Sequence, residues 1–199
     1  MAPRPTVDKA ARRAGLASVA AQVFAERGVA NTSVSDIVRA VGIAQGTFYL
    51  YFASKEEIVL AVAEQMVEAL MADIESAIER TGVDPVAKLL RLRDILSGID
   101  AHPSSVELAE FIHRPENRLL HYRLTENLVP RLLQTVESIV VQGVEEGVFD
   151  VPDPRAAAWF ILGGLNSAEL AGTPATEMPE AIGAATELAL RVLGYEENR

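Results

Sequence analysis

The sequence predicts an all-α protein, with an N-terminal three-helix helix-turn-helix unit and a larger helical part behind it. Three observations predict the helical class. Apolar residues recur at three- and four-residue spacings along most of the chain, and no stretch alternates as a strand would. Glycine and proline punctuate that pattern at helical lengths. The segment from Ser33 to Lys55 holds two short helices and a tight turn, with aromatic residues crowded onto the second. With 199 residues, 49% of them hydrophobic, the chain can build two parts, expected at 1–55 and 56–199.

The first helix is expected from about Asp8 to Arg27, with Leu16, Val19, Ala20, Val23 and Phe24 on one face and Gly28 as its stop. Ser33 can cap the next, with Asp36 at the capping-box position three residues on. Val34, Ile37, Val38 and Val41 form its buried stripe. Gly42 ends it, because left-handed backbone costs glycine little. Ile43 returns to the core. The following helix is expected from Ala44 through Phe52, with Phe48 and Phe52 inward. Gln45, Gly46, Thr47, Tyr49, Leu50 and Tyr51 then face outward. A helix this short is not stable alone. Its neighbours must hold it, and its outer face then fits the DNA major groove.

Ser54, with Glu57 at the box position, caps a long helix expected to reach about Arg80, with Ile58, Val62, Met66, Ala69, Leu70, Met71, Ile74 and Ile78 on its buried side. Gly82 and Pro85 break it. Helices are expected next over Asp84–Ser97, closed by Gly98 and Pro103, and over Ser104–His113, followed by Pro115. A long segment from Glu116 to Glu146 should be kinked by Pro130 and stopped by Gly147. Asp153 caps a helix with Pro154 at its first position, running to Leu170. A last helix spans Pro179 to Leu193.

The net charge of −10 speaks against a nonspecific nucleic-acid binder. Its distribution tells more. Residues 1–55 carry seven basic side chains (Arg4, Lys9, Arg12, Arg13, Arg27, Arg39, Lys55) against three acidic ones (Asp8, Glu26, Asp36), a local +4 that leaves −14 to the rest. A basic head on an acidic body suits a protein that touches phosphate at one end. Arg12 and Arg13 read alternatively as a solvated helix face.

Other classes find little support. There is no cysteine, hence no disulfide framework or thiol chemistry. No P-loop, dinucleotide fingerprint, G-x-S-x-G or HExxH motif occurs, so no enzyme activity and no cofactor are expected. No apolar stretch reaches bilayer length. The basic start MAPRPTVDKAARR lacks an apolar run and reads as a short arm, not a secretory signal. A cytoplasmic location is expected.

The run FAERGVANTSVSDIVRAVGIAQGTFYLYFASKEEIV, Phe24 to Val59, resembles the DNA-binding domain of the tetracycline-repressor (TetR) family of bacterial transcriptional regulators. The pattern G-T-F-Y-x-Y-F-x-S-K behind T-S-V-x-D-I is far more specific than a generic helix-turn-helix. The resemblance implies that Thr47, Tyr49, Tyr51 and Lys55 grip phosphates, and that Gln45, Leu50 and Gly46 lie nearest the base edges. Ser33 completes the expected DNA-binding set. Three residues depart from the family pattern. Ala44 stands where a serine or threonine cap is usual, a loss of roughly 1 kcal/mol. Gln45 replaces a common lysine or arginine and offers an amide that suits adenine. Leu50 replaces a more polar residue and could meet a thymine methyl.

The resemblance also implies a homodimer whose last two helices form a four-helix bundle with their mates, reading an inverted-repeat operator. The apolar stretch AAAWFILGGLNSAELAG and the stripe on the final helix fit that role, with Trp159, Phe160, Gly163, Ser167, Ile182, Ala185, Leu188, Ala189 and Val192 as interface candidates. Intramolecular core is the competing reading. In relatives the middle helices enclose a mostly apolar effector pocket, and binding there tilts the helix that begins at Ser54 here. Candidate lining residues are Met66, Leu70, Leu89, Leu92, Leu96, Phe111, Asn117, His121, Leu128 and Trp159, with His113, Tyr122 and Arg123 as further polar candidates. Each also reads as plain core or packing. His113 and His121 with Glu107 or Glu110 could compose a metal site, but polar packing at a helix junction is the stronger reading and no metal is expected.

The expected function is a dimeric regulator, a repressor released from a palindromic operator by a small apolar or amphipathic ligand. The alternatives are a helical lipid or small-molecule carrier without DNA binding, and a regulator that activates or answers to a protein partner. Retention of Thr47, Tyr49, Tyr51 and Lys55 argues against the carrier.

Overall fold

Helical periodicity and glycine stops shape the chain as expected. The computed structural model describes residues 9–79, 82–99, 108, 111–112, 114–171, 173–174 and 176–196. Among them are the helices α1 (Lys9–Arg27), α2 (Val34–Val41), α3 (Gln45–Phe48), α4 (Lys55–Ile78), α5 (Pro85–Ile99), α6 (Arg118–Glu145), α7 (Pro154–Leu170) and α8 (Met178–Val192), with a 3-10 turn at Pro115–Asn117. No strand occurs among the described residues.

The chain divides into two compact units, Met1–Glu68 with Pro103–Leu124, and Ala69–His102 with Thr125–Arg199. They do not follow chain order, whereas a division at 55/56 does. A segment far along the sequence packs into the first unit.

In the first unit α1 packs on α2 and α2 on α3. Leu16, Ala20, Phe24, Ile37, Phe48 and Phe52 bury one small core, which α4 extends through Ile58, Val59 and Val62. Leu108, Phe111, Ile112 and Leu120 join it from the later segment. Val19 is half-buried, while Val23 lies with the buried residues of α1.

In the second unit α8 packs against both α5 and α7. Met71, Ile74, Val136, Ile139 and Leu193 are among its most deeply buried side chains. Asp84 starts α5, its carboxylate accepting from Val86 N at 3.3 Å, and Pro85 takes the first helical position. This helix runs through Gly98 to Ile99, so Gly98 is not the expected stop. α6 continues unbroken through Pro130. It ends where Gly147 turns left-handed at φ 71°. Asp153 caps α7, its Oδ1 accepting from the backbone N–H groups of Arg155 and Ala156 at 3.0 Å each. Of the helix expected at Ser104–His113, only Leu108, Phe111 and Ile112 fall among the described residues, and all three are helical and buried. Arg80, Pro103, Glu107, Glu110 and His113 lie outside the described residues.

Candidate nucleic-acid interface

The interface begins with the cap of α2. Ser33 sits in extended backbone and its Oγ accepts from Asp36 N at 3.2 Å, while Ser33 N donates to Asp36 Oδ2 at 2.9 Å. Both halves of the capping box are made. The Ser33 hydroxyl also donates to the Asp36 carboxylate. That bond holds the Asp36 carboxyl below the ordinary 3.8, the Ser33 backbone bond adds to it, and Arg27 and Arg39 lower it further against slight desolvation. Arg27 lies 3.4 Å and Arg39 3.5 Å from Asp36 Oδ1. Ser33 is exposed, with its hydroxyl engaged in the cap.

At the far end of α2, Ile43 N bonds Val38 O and Gly42 N bonds Arg39 O, with Gly42 at φ 74°. These are the paired bonds of a Schellman stop. The chain then turns straight into α3.

α3 is shorter than expected, Gln45–Phe48 rather than Ala44 through Phe52. Ala44 supplies no side-chain cap, and past Phe48 the backbone tightens into turns, with Leu50 N bonding Thr47 O and Tyr51 N bonding Phe48 O. Phe52 N still bonds Phe48 O, so the coil reaches Phe52 in loosened form. Phe48 and Phe52 are the anchors. They are fully buried, with ring centroids 5.6 Å apart. The Arg13 guanidinium covers the Phe52 ring at 4.8 Å and lies 3.8 Å from Glu64, so Arg13 packs and pairs rather than standing free.

With those anchors inside, α3 and its turn present Gln45, Gly46, Tyr49 and Leu50 outward. Tyr49 is 51% and Leu50 70% exposed. Thr47 and Tyr51 are half-buried, Tyr51 packing against the core, so these two are less outward than expected. α4 begins with a carboxylate ring at its amino end. Glu57 N donates to Ser54 Oγ at 3.3 Å, and the Glu57 carboxylate accepts from Ala53 N at 2.7 Å, one residue earlier than a standard box. A hydrogen bond from Ser54 holds the Glu56 carboxyl below its ordinary value.

Lys55 is half-buried. Its Nζ reaches Ala30 O at 3.5 Å and lies 5.8 Å from the centre of the Phe111 ring. Burial pushes its ammonium below the ordinary lysine value, Glu56 opposes that shift and Arg114 adds to it. Sequence reasoning missed this arrangement, because Phe111 and Arg114 stand more than fifty positions from Lys55 and carry no local signal.

The expected effector-pocket residues are scattered. Leu89, Leu92 and Leu96 face Ile161, Ile182 and Thr186 around a space of about 20 Å³, room for about one water. Phe111 belongs instead to the core of the first unit, and Met66 packs against that core. Asn117 is buried, its Nδ2 donating to Phe111 O at 2.7 Å. Leu70, His121 and Leu128 are half-buried, while Tyr122 and Arg123 are exposed. Trp159 is 56% exposed beneath the Arg155 guanidinium at 5.5 Å, so it does not line the enclosed space. Among the described residues, no group of three histidine or carboxylate side chains is placed to hold a metal. No described helix is long and apolar enough to cross a membrane.

The expected interface residues divide in two. Trp159, Phe160, Gly163, Ser167, Leu188 and Val192 are exposed, Phe160 at 65%. Ile182 and Ala189 are buried inside the unit and Ala185 is half-buried. These three and Thr186 line the space that α5 also lines. The stripe expected on the last helix therefore mixes two of its faces.

Comparison with known proteins agrees with this geometry. The family model of bacterial regulatory proteins of the tetR family matches residues 16–62. A stretch of 56 residues is 45% identical to the HTH-type transcriptional regulator YvdT of Bacillus subtilis, spanning 28% of this chain and 29% of that protein. The HTH-type transcriptional repressor KstR2 of Rhodococcus jostii is 33% identical over 155 residues, 75% of this chain and 74% of that one. The crystal structure of the transcriptional regulator FadR from Bacillus subtilis in complex with stearoyl-CoA superposes with a TM-score of 0.63 at 21% identity, covering 87% of this chain and 95% of that one. The relatives are transcriptional regulators, not enzymes. A capped α2, a Schellman turn and an outward α3 seated on two buried phenylalanines are thus the DNA-binding head of a transcriptional regulator, and the chain belongs to the TetR family of bacterial regulatory proteins.

Proposed function

We propose that the protein is a homodimeric repressor that holds an inverted-repeat operator and is released from it by a small apolar or amphipathic ligand. The observation that carries this reading is the exposed surface of α3 and the turn after it, where Gln45, Tyr49 and Leu50 point outward while Phe48 beneath them is fully buried. In this reading residues 1–55 act as the DNA-binding part and 56–199 as the effector and dimer part. Ser33, Thr47, Tyr49, Tyr51 and Lys55 contact phosphates, and Gln45, Gly46 and Leu50 meet base edges.

The exposed Trp159, Phe160, Leu188 and Val192 support a dimer, since a surface this apolar favours a partner. A twofold dimer would set two heads about 34 Å apart on an inverted repeat. The repressor role follows the KstR2 relative, and an acyl-thioester-like effector follows the stearoyl-CoA held by FadR. The leucines of α5 that line the small space in the second unit are the candidates to receive it once that space opens. A ligand preferring the DNA-incompetent state 100-fold would supply about 2.7 kcal/mol of coupling.

A gel-shift titration on the DNA upstream of the protein's own gene tests this, with stearoyl-CoA as the first effector probe. Salt-dependent binding that the probe abolishes supports the repressor. Binding to no inverted repeat overturns it. A thermal-shift screen of apolar metabolites widens the search, since a ligand at 100 times its Kd adds about 2.7 kcal/mol of stability.

A further inference from the structure

We propose that Arg114, which lies outside the helix-turn-helix, is an additional phosphate-binding residue of the DNA interface, presented beside Lys55 on the ring of Phe111. This rests on the proposed reading of residues 1–55 as the DNA-binding part, to which Arg114 adds a residue from the same compact unit. Three observations carry it.

The first is proximity. Lys55 Nζ lies 5.8 Å and Arg114 Cζ 5.5 Å from the centre of one and the same phenylalanine ring. All three residues belong to the first unit. The electron-rich face of the ring attracts each cation, but the two cations repel one another. An anion beside them relieves that repulsion.

The second is availability. Arg114 is exposed, and no carboxylate among the described residues lies within ion-pair distance of it. Arg13, Arg27 and Arg39 of this unit each have such a partner. The planar guanidinium offers a fork of donors that matches phosphate oxygens.

The third is rigidity. The backbone around Arg114 is clamped from both sides. Arg114 N donates to Phe111 O at 3.4 Å, and Asn117 N donates to Arg114 O at 2.8 Å. The buried Asn117 side chain donates to the same Phe111 carbonyl at 2.7 Å. Phe111 itself is buried in the core that also holds Phe48 and Phe52. The backbone of Arg114 is thereby tied to the hydrophobic cluster that seats α3, so its main chain has little freedom to lose on binding.

The test is the salt dependence of DNA binding by the full chain. The probes are a duplex selected by the parent protein from a random pool and a second duplex of unrelated sequence. The variants are Arg114→Ala, Arg114→Lys, Lys55→Ala and, as a control in the second unit, Arg91→Ala. Each phosphate contact contributes about 0.9 to the slope of log K against log salt. Arg114→Ala should lower that slope by about 0.9, so that the parent's advantage shrinks about eightfold over a tenfold rise in salt. It should weaken the selected and unrelated duplexes alike, as phosphate contacts do. Arg114→Lys should keep most of the slope, and Arg91→Ala all of it. Circular dichroism and melting confirm that each variant is folded.

An Arg114→Ala variant that is folded and retains the parent's slope and affinity overturns the proposal while leaving the DNA-binding reading intact. A loss confined to the selected duplex, at unchanged slope, also overturns it. A parent protein that binds neither duplex, with Lys55→Ala no different, removes the underlying reading and this proposal with it.

Discussion

Ser33 and Asp36 cap each other. Asp36 N donates to Ser33 Oγ at 3.2 Å, Ser33 N donates back to Asp36 Oδ2 at 2.9 Å, and α2 starts there because both bonds are made. The carboxyl of Asp36 is held below its ordinary 3.8 chiefly by the Ser33 hydroxyl. A depressed carboxylate contributes stability that is fully present above the unfolded value and is lost as pH falls through the lower folded value. Asp36→Ala should therefore melt below the parent at neutral pH, and the gap should close only as pH drops past 3.8. Melting curves of both proteins across that range check the sign. Ser33→Ala should cost about 1 kcal/mol by loss of the cap.

Gln45 on α3 and Tyr49 in the turn after it are both exposed, yet their expected roles differ. Tyr49→Ala should weaken binding to every duplex, as loss of a phosphate contact does. Gln45→Ala should relax the choice at one base pair, with a discrimination loss of about 1–3 kcal/mol. Binding selections with each variant measure this, and parental behaviour in both would mean that α3 is oriented otherwise.

Gly143 has no room for a side chain. A Cβ there would sit 2.0 Å from Cδ2 and 2.4 Å from Cε2 of the buried Phe149 ring. The ring lies there because Val148 N and Phe149 N both bond the Gly143 carbonyl, folding the chain back onto α6. Gly143→Ala should destabilise by about 1–3 kcal/mol through overpacking. Adding Phe149→Leu should recover part of that loss, and a double-mutant cycle by chemical denaturation reads the coupling.

Phe160 and Trp159 lie on the exposed face of α7. Phe160→Asp should leave the helix content unchanged, halve the mass seen by sedimentation, and remove binding to an inverted repeat while single-head contact persists weakly. A parental mass for this variant would place the subunit contact elsewhere.

Much of the DNA-binding head was legible because its signals are local. The Ser33 box, the Gly42 stop and the inward pair Phe48 and Phe52 each depend on residues three or four apart, a range over which backbone geometry repeats. The same locality explains Gly28, Gly147 and the Asp153 cap with Pro154. The regular part of α3 is shorter than its sequence predicts, because past Phe48 the bonds of Leu50 N and Tyr51 N reach back only three residues, to Thr47 O and Phe48 O.

What the sequence alone determined is therefore the helical class, most of its punctuation and the outward placement of Gln45, Gly46, Tyr49 and Leu50 around the buried Phe48 and Phe52. Only the tertiary structure decided which side of α8 is core. Ile182, Thr186 and Ala189 turn inward because α5 and α7 cover them, leaving Leu188 and Val192 exposed. Only it brought Phe111 and Arg114 to Lys55 and joined buried Lys88 to Gln142 at 2.7 Å. These contacts join residues more than fifty positions apart, and an apolar period says that a face is buried without saying which partner buries it.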